Sequence, residues 1–89
     1  MSRRLVRLAA ALAKGPVTRE QADQIAPASN GPHYVGLLRR KLDIEIKCDR
    51  IPCTITGGER THYGRYTPTR EERAKLMAFV IEQGGSLDD

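Results

Sequence analysis

The chain has 89 residues, of which 39% are hydrophobic and 29% charged, so it fits one small folded domain and is not wholly disordered. No apolar run approaches the roughly 18 residues of a membrane-spanning helix, which argues against an integral membrane protein. The net charge is +4 and is unevenly distributed: residues 1–67 carry 12 Lys or Arg and 6 Asp or Glu, whereas residues 68–89 carry 3 and 5.

The first predicted element is a helix over residues 3–14. Apolar residues recur at helical spacing in "LVRLAAAL", and "KGP" supplies a stop. The basic start and the apolar stretch also resemble a secretion signal, but the charges of Arg7 and Lys14 interrupt it and "AKGP" is a poor cleavage site. We therefore interpret this segment as a helix and expect a cytoplasmic protein.

The second predicted helix covers residues 19–25. In "VTREQADQIA", Thr18 is placed as the N-cap, and Gln21, three residues later, completes a capping box. The following "APASN" contains proline and small polar residues, which predicts a turn over residues 26–30.

The third predicted helix covers residues 30–42 and ends in a basic run. Val35, Leu38 and Leu42 recur at helical spacing and form its buried stripe. A rotation of about 100° per residue turns the remaining residues outward or to the flanks of this stripe. The residues concerned are His33, Gly36, Leu37, Arg39, Arg40 and Lys41.

A β-hairpin is predicted after the third helix. Apolar and polar residues alternate in both "IEIKC" and "IPCTI", but the apolar positions of the two segments have opposite parity. A continuous strand cannot keep both sets on one face, so we expect a bulge or a sharp bend at Asp49 and Arg50.

The sequence "TGGE" predicts a two-residue hairpin turn at Gly57-Gly58. This turn places Cys53 opposite His62 in the register of the hairpin. With the bulge, Tyr66 would then face Cys48 and close an apolar surface at the base of the hairpin.

The last predicted helix covers residues 69–83 and precedes an acidic tail at residues 84–89. Thr69 is placed as its N-cap, and Glu72 completes another capping box. One stripe is formed by Leu76, Phe79, Val80 and Gln83. A second, apolar stripe is formed by Ala74, Met77 and Ile81, and such a surface requires a partner or a second copy of the chain.

The order of these elements resembles that of small winged helix-turn-helix domains, a type common among bacterial and phage DNA-binding regulators. The resemblance covers about residues 2–67 and depends on "VTREQADQIA", "YVGLLRRKLDIEI" and "TGGERTHYGRYTPT". It implies an α+β fold with a three-helix core and a β-hairpin wing. Together with the C-terminal helix predicted above, we expect a single domain of residues 1–89. It also implies that the third helix enters the DNA major groove while the wing contacts the backbone or the minor groove.

The same resemblance implies a set of DNA-binding residues in this sequence. Asn30 and Arg40 would contact base edges, and Leu37 would contact a thymine methyl group. The N–H groups of Gly31 and His33 would meet a phosphate at the helix start, and the His33 side chain is a further candidate. The remaining expected contacts are Arg39 and Lys41 from the helix and Arg60 and Arg65 from the wing, with Thr61 and His62 as weaker candidates.

Metal, disulfide and catalytic chemistry are not expected from this sequence. Five residues of strand separate Cys48 from Cys53 by roughly 16 Å, whereas a disulfide requires about 4.4–6.8 Å between Cα atoms. A zinc site using His62 with the cysteines would not have a usual zinc spacing, so we favour buried free thiols and no cofactor. Two histidines without a paired acid or nucleophile also provide no catalytic constellation.

Two functions remain open at the level of sequence. The first is sequence-specific binding of double-stranded DNA by a small transcriptional regulator of phage or prophage type. The second is a protein-interaction module on the same fold, which would use the second stripe of the last helix. That stripe is also compatible with a homodimer, while "RRK" and Arg60 have simpler interpretations as a solvated helix face and as protection against edge pairing.

Overall fold

The computed structural model describes residues 3–25 and 31–85, which form four helices and a three-stranded antiparallel sheet. The elements are α1 (Arg3–Lys14), β1 (Val17–Thr18), α2 (Arg19–Ile25), α3 (Gly31–Leu42), β2 (Lys47–Thr54), β3 (Arg60–Thr67) and α4 (Arg70–Glu82). The strand order is β1-β3-β2. The predicted α+β class is confirmed, whereas the turn 26–30, Asn30 and most of the acidic tail lie outside the described residues.

Helices α1 and α4 pack against each other and form much of the core. Helix α1 contributes Leu8 and Leu12, both fully buried. The predicted stripe of α4 is confirmed for Leu76, Phe79 and Val80, which are buried. Gln83 is instead the exposed C-cap of α4, because the helix ends one residue earlier. Burial of each large apolar side chain stabilises the fold by about 1.5–3 kcal/mol.

Both predicted capping boxes are present. The Gln21 N–H donates to the Thr18 hydroxyl at 3.1 Å, and the Thr18 N–H donates to the Gln21 side-chain oxygen at 2.9 Å. Thr69 and Glu72 make the same reciprocal pair at the start of α4. These contacts satisfy backbone donors that have no partner within their own helices, so they fix where α2 and α4 begin.

The hairpin register differs by one residue from the predicted one. Cys53 lies opposite Thr61, and Tyr66 lies opposite Cys48 as predicted. The Ile55 N–H donates to the Glu59 carbonyl, so the loop contains three residues instead of the two at Gly57-Gly58. One additional loop residue shifts the pairs next to the loop by one position. The Tyr66–Cys48 pair still agrees, because the predicted bulge would have made the same shift.

The predicted bulge at Asp49 and Arg50 is wrong, because β2 and β3 pair without interruption from Lys47 to Thr54. The change of parity occurs before the strand begins. Ile46 is fully buried and has a φ of 45°, a left-handed conformation that is unusual for a β-branched residue. This residue turns the chain, so the strand starts with its alternation already reversed.

Gly31 and Gly36, both in α3, provide a matched test of helix packing. A Cβ added to Gly31 would lie 2.7 Å from Asp23 Oδ1 and 3.0 Å from the Ala22 Cβ, whereas one added to Gly36 has no neighbour within 4 Å. We expect Gly31→Ala to lower the free energy of unfolding by about 1–3 kcal/mol. We expect Gly36→Ala to raise it by about 0.5–1 kcal/mol, because alanine favours the helix. Denaturant titrations measure both changes, and equal stabilities would contradict the close contact of α2 with α3.

Candidate nucleic-acid interface

The two faces of the hairpin carry different charges. Residues alternate between faces along a strand, and the register places the even-numbered residues of both strands on one face. This face, which we call the even face, carries Arg50, Arg60 and His62 and no acidic residue within strands 47–54 and 60–67. The other face carries Asp49, whose carboxylate lies 3.5 Å from the Lys47 ammonium and accepts a hydrogen bond from the Thr67 hydroxyl.

The even face borders an open groove beneath α2 and α3. A Cβ added to Gly64 would lie 3.5 Å from both the Arg19 Cβ and the Cys48 Sγ, so the stem of Arg19 crosses directly over the sheet. The groove has a volume of about 520 Å³. Its lining includes Arg19, Arg39, Arg50, His62, Pro32 and Tyr66. The groove therefore combines side chains from three separate parts of the sequence.

The charge of the groove comes from its arginines. Burial raises the pKa of the Tyr66 hydroxyl above its ordinary value of 10.0, with smaller raising effects of Cys48 and Asp23 and opposing effects of Arg19 and Arg39. The phenol is therefore neutral at neutral pH. A surface with fixed guanidinium charges and a neutral floor attracts anions such as phosphate groups.

Helix α3 presents an outward ridge next to this groove. His33 and Arg40 are exposed on the ridge, and Gly36 and Leu37 lie between them with partial exposure. A Cβ on Gly36 would have free space, so this part of the ridge is open to close approach. Lys41 is also exposed but lies on the flank of α3 away from the groove, about 180° in rotation from Pro32.

Arg39 clamps the connection between α3 and β2. Its Nε donates to the Glu45 carbonyl at 2.7 Å and its Nη2 donates to the Ile46 carbonyl at 2.6 Å. Its guanidinium carbon also lies 5.9 Å from the centre of the Tyr66 ring, within the range of a cation–π interaction. Much of the hydrogen-bonding capacity of the Arg39 side chain is thus used by backbone carbonyls of the same chain, those of Glu45 and Ile46.

Glu72 of α4 holds the same connection from the other side. Its Oε2 accepts hydrogen bonds from the Glu45 and Ile46 N–H groups at 2.8 and 3.0 Å, and its Oε1 accepts one from Thr69. Burial alone would raise the pKa of this carboxyl, but the hydrogen bonds from Thr69, Ile46 and Glu45 together lower it below the ordinary 4.5. Ile46 is therefore held at both its carbonyl and its N–H group. These contacts fix how the hairpin leaves α3.

The start of α3 is only partly as predicted. The Gly31 N–H, expected to be available to a phosphate, donates instead to Asp23 Oδ1 at 3.0 Å. The His33 ring is exposed and makes an edge contact with the Tyr34 ring, 5.6 Å between centroids. The Gly31 amide therefore belongs to the α2–α3 contact.

The structure separates the two hairpin arginines expected to bind DNA. Arg60 lies on the even face near the tip of the hairpin and is exposed. Arg65 lies opposite Asp49 on the other face and is partly buried. Arg60 therefore shares a surface with His62, whereas Arg65 does not.

The structure places both cysteines away from the core. Cys48 is exposed and Cys53 is half-buried, and both are free thiols, so the predicted burial is wrong. They are on opposite faces of β2, because one position is even and the other odd. Over residues 3–25 and 31–85, His, Cys, Asp and Glu side chains form no group of three that could hold a metal ion.

Arg19 and Arg50 line the groove, but the sequence did not indicate this. Arg19 begins α2, and Arg50 lies where a bulge is predicted from the sequence. The available signal was the two-residue spacing from Cys48 to Arg50, which places both on one face of an uninterrupted strand. Arg19 had no comparable signal, because it reaches the groove only through the packing of α2 on the sheet.

The chain matches no protein-family model, no curated protein and no solved structure. Among the helices of the described residues, none combines the length and apolar composition needed to cross a membrane.

Proposed function

We propose that this chain is a winged helix-turn-helix domain that binds double-stranded DNA, as a small transcriptional regulator of bacterial or phage type. Helix α3 would enter the major groove, and the β2–β3 hairpin would follow the adjacent backbone. The observation that carries this proposal is the acid-free even face, which lies beside the exposed ridge of α3.

The order of elements supports the winged-helix assignment. A short strand between the first two helices pairs with the returning strand of the hairpin, which gives the order β1-β3-β2. Because β1 pairs with β3 and is followed directly by α2, this strand holds α2 next to the hairpin. The hairpin and α3 can therefore meet a ligand as one surface.

The charge distribution supports a polyanionic ligand. Arg19 and Arg50 border the groove, Arg40 is on the ridge, and Arg60 and His62 continue the same surface toward the hairpin tip. Cations spaced along one surface can neutralise successive phosphates, which supplies most of the affinity for nucleic acid. In this proposal, Arg40, Leu37 and His33 would in turn contact base edges.

Arg40 provides the direct test of the role of α3. We expect Arg40→Ala to remain folded and to bind its preferred duplex about tenfold more weakly, with relaxed preference at one base pair, because a bidentate arginine contact contributes about 1–3 kcal/mol of discrimination. Selection from random duplexes at two salt concentrations supplies the preferred sequence, and fluorescence anisotropy measures the affinity. Lys75→Ala is the matched control, because it also removes one positive charge, but from the exposed surface of α4. Unchanged affinity and base preference for Arg40→Ala would remove α3 from the interface.

A protein-interaction module is the alternative function. The exposure of Ile81 and Met77 on α4, 65% and 38%, favours it, since these side chains leave an apolar surface uncovered. Weak duplex binding without an enriched sequence in the same selection would support this alternative over specific DNA recognition.

A further inference from the structure

The groove beneath α2 and α3 has an exposed rim and a buried floor. Arg19 and Arg50 line the groove and are exposed, and we call them its rim. Tyr66, which is 4% exposed, and the partly buried Arg39 also line it, and we call them its floor. Within residues 3–25 and 31–85, no acidic side chain lines the groove. The three guanidinium groups therefore face a space that holds no carboxylate of these residues.

The Tyr66 hydroxyl is an available hydrogen-bond donor at the floor. Among residues 3–25 and 31–85 it has no hydrogen-bond partner, yet it is not one of the fully enclosed side-chain atoms that lack one. Burial raises its pKa, and the charges of Cys48 and Arg19 also act on it, so the hydroxyl lies near two other residues of the lining. It is therefore protonated and open to the groove, where it can donate to an anion.

Arg39 supplies further donors at the floor. Two of the N–H groups of its side chain donate to the Glu45 and Ile46 carbonyls, and a guanidinium has five such groups. These two bonds fix the side chain in place, so a ligand would not have to order it. The carboxylate of Asp23 also acts on Tyr66, but it accepts a hydrogen bond from the Gly31 N–H and does not line the groove.

The floor suits a phosphate group that is free at one end. A backbone phosphate of duplex DNA is joined to a sugar on both sides, so it can meet the rim but is held away from the floor. The groove has a volume of about 520 Å³, within the range of about 300–1,000 Å³ typical of small-molecule sites. A diphosphate group carries more negative charge than a single phosphate and can meet the rim and the floor together.

We propose that this groove binds a diphosphate group, either free or at the end of a nucleotide. The terminal phosphate accepts hydrogen bonds from the Tyr66 hydroxyl and the Arg39 guanidinium, and Arg19 and Arg50 hold the second phosphate. The site shares the two rim arginines with the proposed DNA interface. Its floor is specific to the small ligand, so this binding goes beyond the proposed function.

The experiment is isothermal titration calorimetry of the full chain with pyrophosphate, without DNA. Tyr66→Phe should weaken binding about tenfold, because the ring stays in the core while the hydroxyl that donates to a charged phosphate is lost. Tyr34→Phe is the matched control, since it removes a hydroxyl outside the groove lining, and it should bind as the parent does. Arg19→Gln with Arg50→Gln should weaken binding about 100-fold. Far-UV circular dichroism checks that each variant is folded.

Two further ligands identify the chemistry that the site accepts. Dimethyl phosphate, a diester like the DNA backbone, should show no measurable binding at the same ionic strength. ADP carries the diphosphate on a nucleoside, so tighter binding of ADP than of pyrophosphate would assign the site to nucleotides, and weaker binding would assign it to the free group. A parent that binds neither, or a folded Tyr66→Phe variant that binds pyrophosphate as tightly as the parent, would overturn the proposal. Because no DNA is present, these outcomes are independent of DNA binding.

Discussion

Glu72→Gln should lower the free energy of unfolding by about 2–3 kcal/mol, an unusually large effect for a partly exposed side chain. The carboxylate accepts hydrogen bonds from three backbone N–H groups, those of Thr69, Glu45 and Ile46. Glutamine keeps one oxygen but presents an NH₂ group where the other oxygen accepts. At least one backbone donor therefore loses its partner. Urea or guanidinium titration measures the change.

The neighbouring Glu71 supplies the control. It is exposed in the same turn of α4, so Glu71→Gln removes an equal charge near the helix N-terminus. We expect this control to change stability by no more than about 0.5 kcal/mol. Equal effects of the two substitutions would show that helix-dipole charge, not the clamp on residues 45 and 46, is responsible.

The contribution of Glu72 should also depend on pH in a defined direction. Its folded-state pKa lies below the ordinary 4.5, so the folded state binds a proton less readily than the unfolded state. The stabilisation is therefore complete above the ordinary value and is lost as pH falls through the lower folded-state pKa. The parent and Glu72→Gln should consequently converge in stability in acid. A constant difference down to the acid limit would contradict the lowered pKa.

The partner of Glu72 in this clamp is Arg39. Glu72 accepts a hydrogen bond from the Ile46 N–H, and Arg39 donates one to the Ile46 carbonyl. Both therefore hold a residue that has an unfavourable left-handed backbone. A double-mutant cycle of Glu72→Gln with Arg39→Met should therefore show effects that are not additive. The same variants should bind duplex DNA more weakly, although Glu72 is on α4, because the hairpin would lose its fixed orientation.

The second large effect concerns the groove between α3 and the hairpin. We expect the double variant Arg19→Gln with Arg50→Gln to bind duplex DNA about 30-fold more weakly at 0.1 M salt. In the proposed complex each arginine neutralises one phosphate, so the log–log dependence of affinity on salt should become less steep by about 1.8. Glutamine preserves part of each side-chain stem, including the stem of Arg19 that covers Gly64. Anisotropy titrations at four or more salt concentrations give both quantities.

A charge-matched control is available outside the groove. Lys47 lies on the other face of β2 and Lys75 is exposed on α4, so Lys47→Gln with Lys75→Gln removes the same net charge. This control should keep most of the parent's affinity and nearly its full salt dependence. If both double variants weakened binding equally, net charge would explain the interaction and the groove would have no special role.

The helix ends could be predicted because they depend on neighbouring residues. Thr18 and Thr69 each meet a Gln or Glu three positions later, and that local chemistry does not require the rest of the fold. The hairpin register could not be predicted in the same way. The pair Gly57-Gly58 allows positive φ angles in loops of two or of three residues, and the difference moves every cross-strand pair.

The turn at Ile46 and the groove were missed for a different reason. A left-handed β-branched residue is locally unfavourable, so no sequence pattern predicts one. At Ile46 this cost is offset by burial and by contacts from Arg39 and Glu72, the latter 26 residues away. Likewise, Arg19 and Arg50 meet only after α2 has packed on the sheet. Both the Ile46 turn and the groove therefore depend on contacts between elements that are distant in the sequence.

The clamp by Glu72 also has a consequence during synthesis of the protein. Residues 31–67, which include α3 and the whole hairpin, leave the ribosome before α4 does. Until residue 72 has emerged, the Glu45 and Ile46 N–H groups lack their carboxylate partner, and the left-handed turn at Ile46 is unsupported on that side. A nascent chain ending near residue 68 would therefore contain every proposed DNA contact without holding the hairpin in its final orientation. In the proposed function, competence for DNA binding would therefore appear only when the last helix is made.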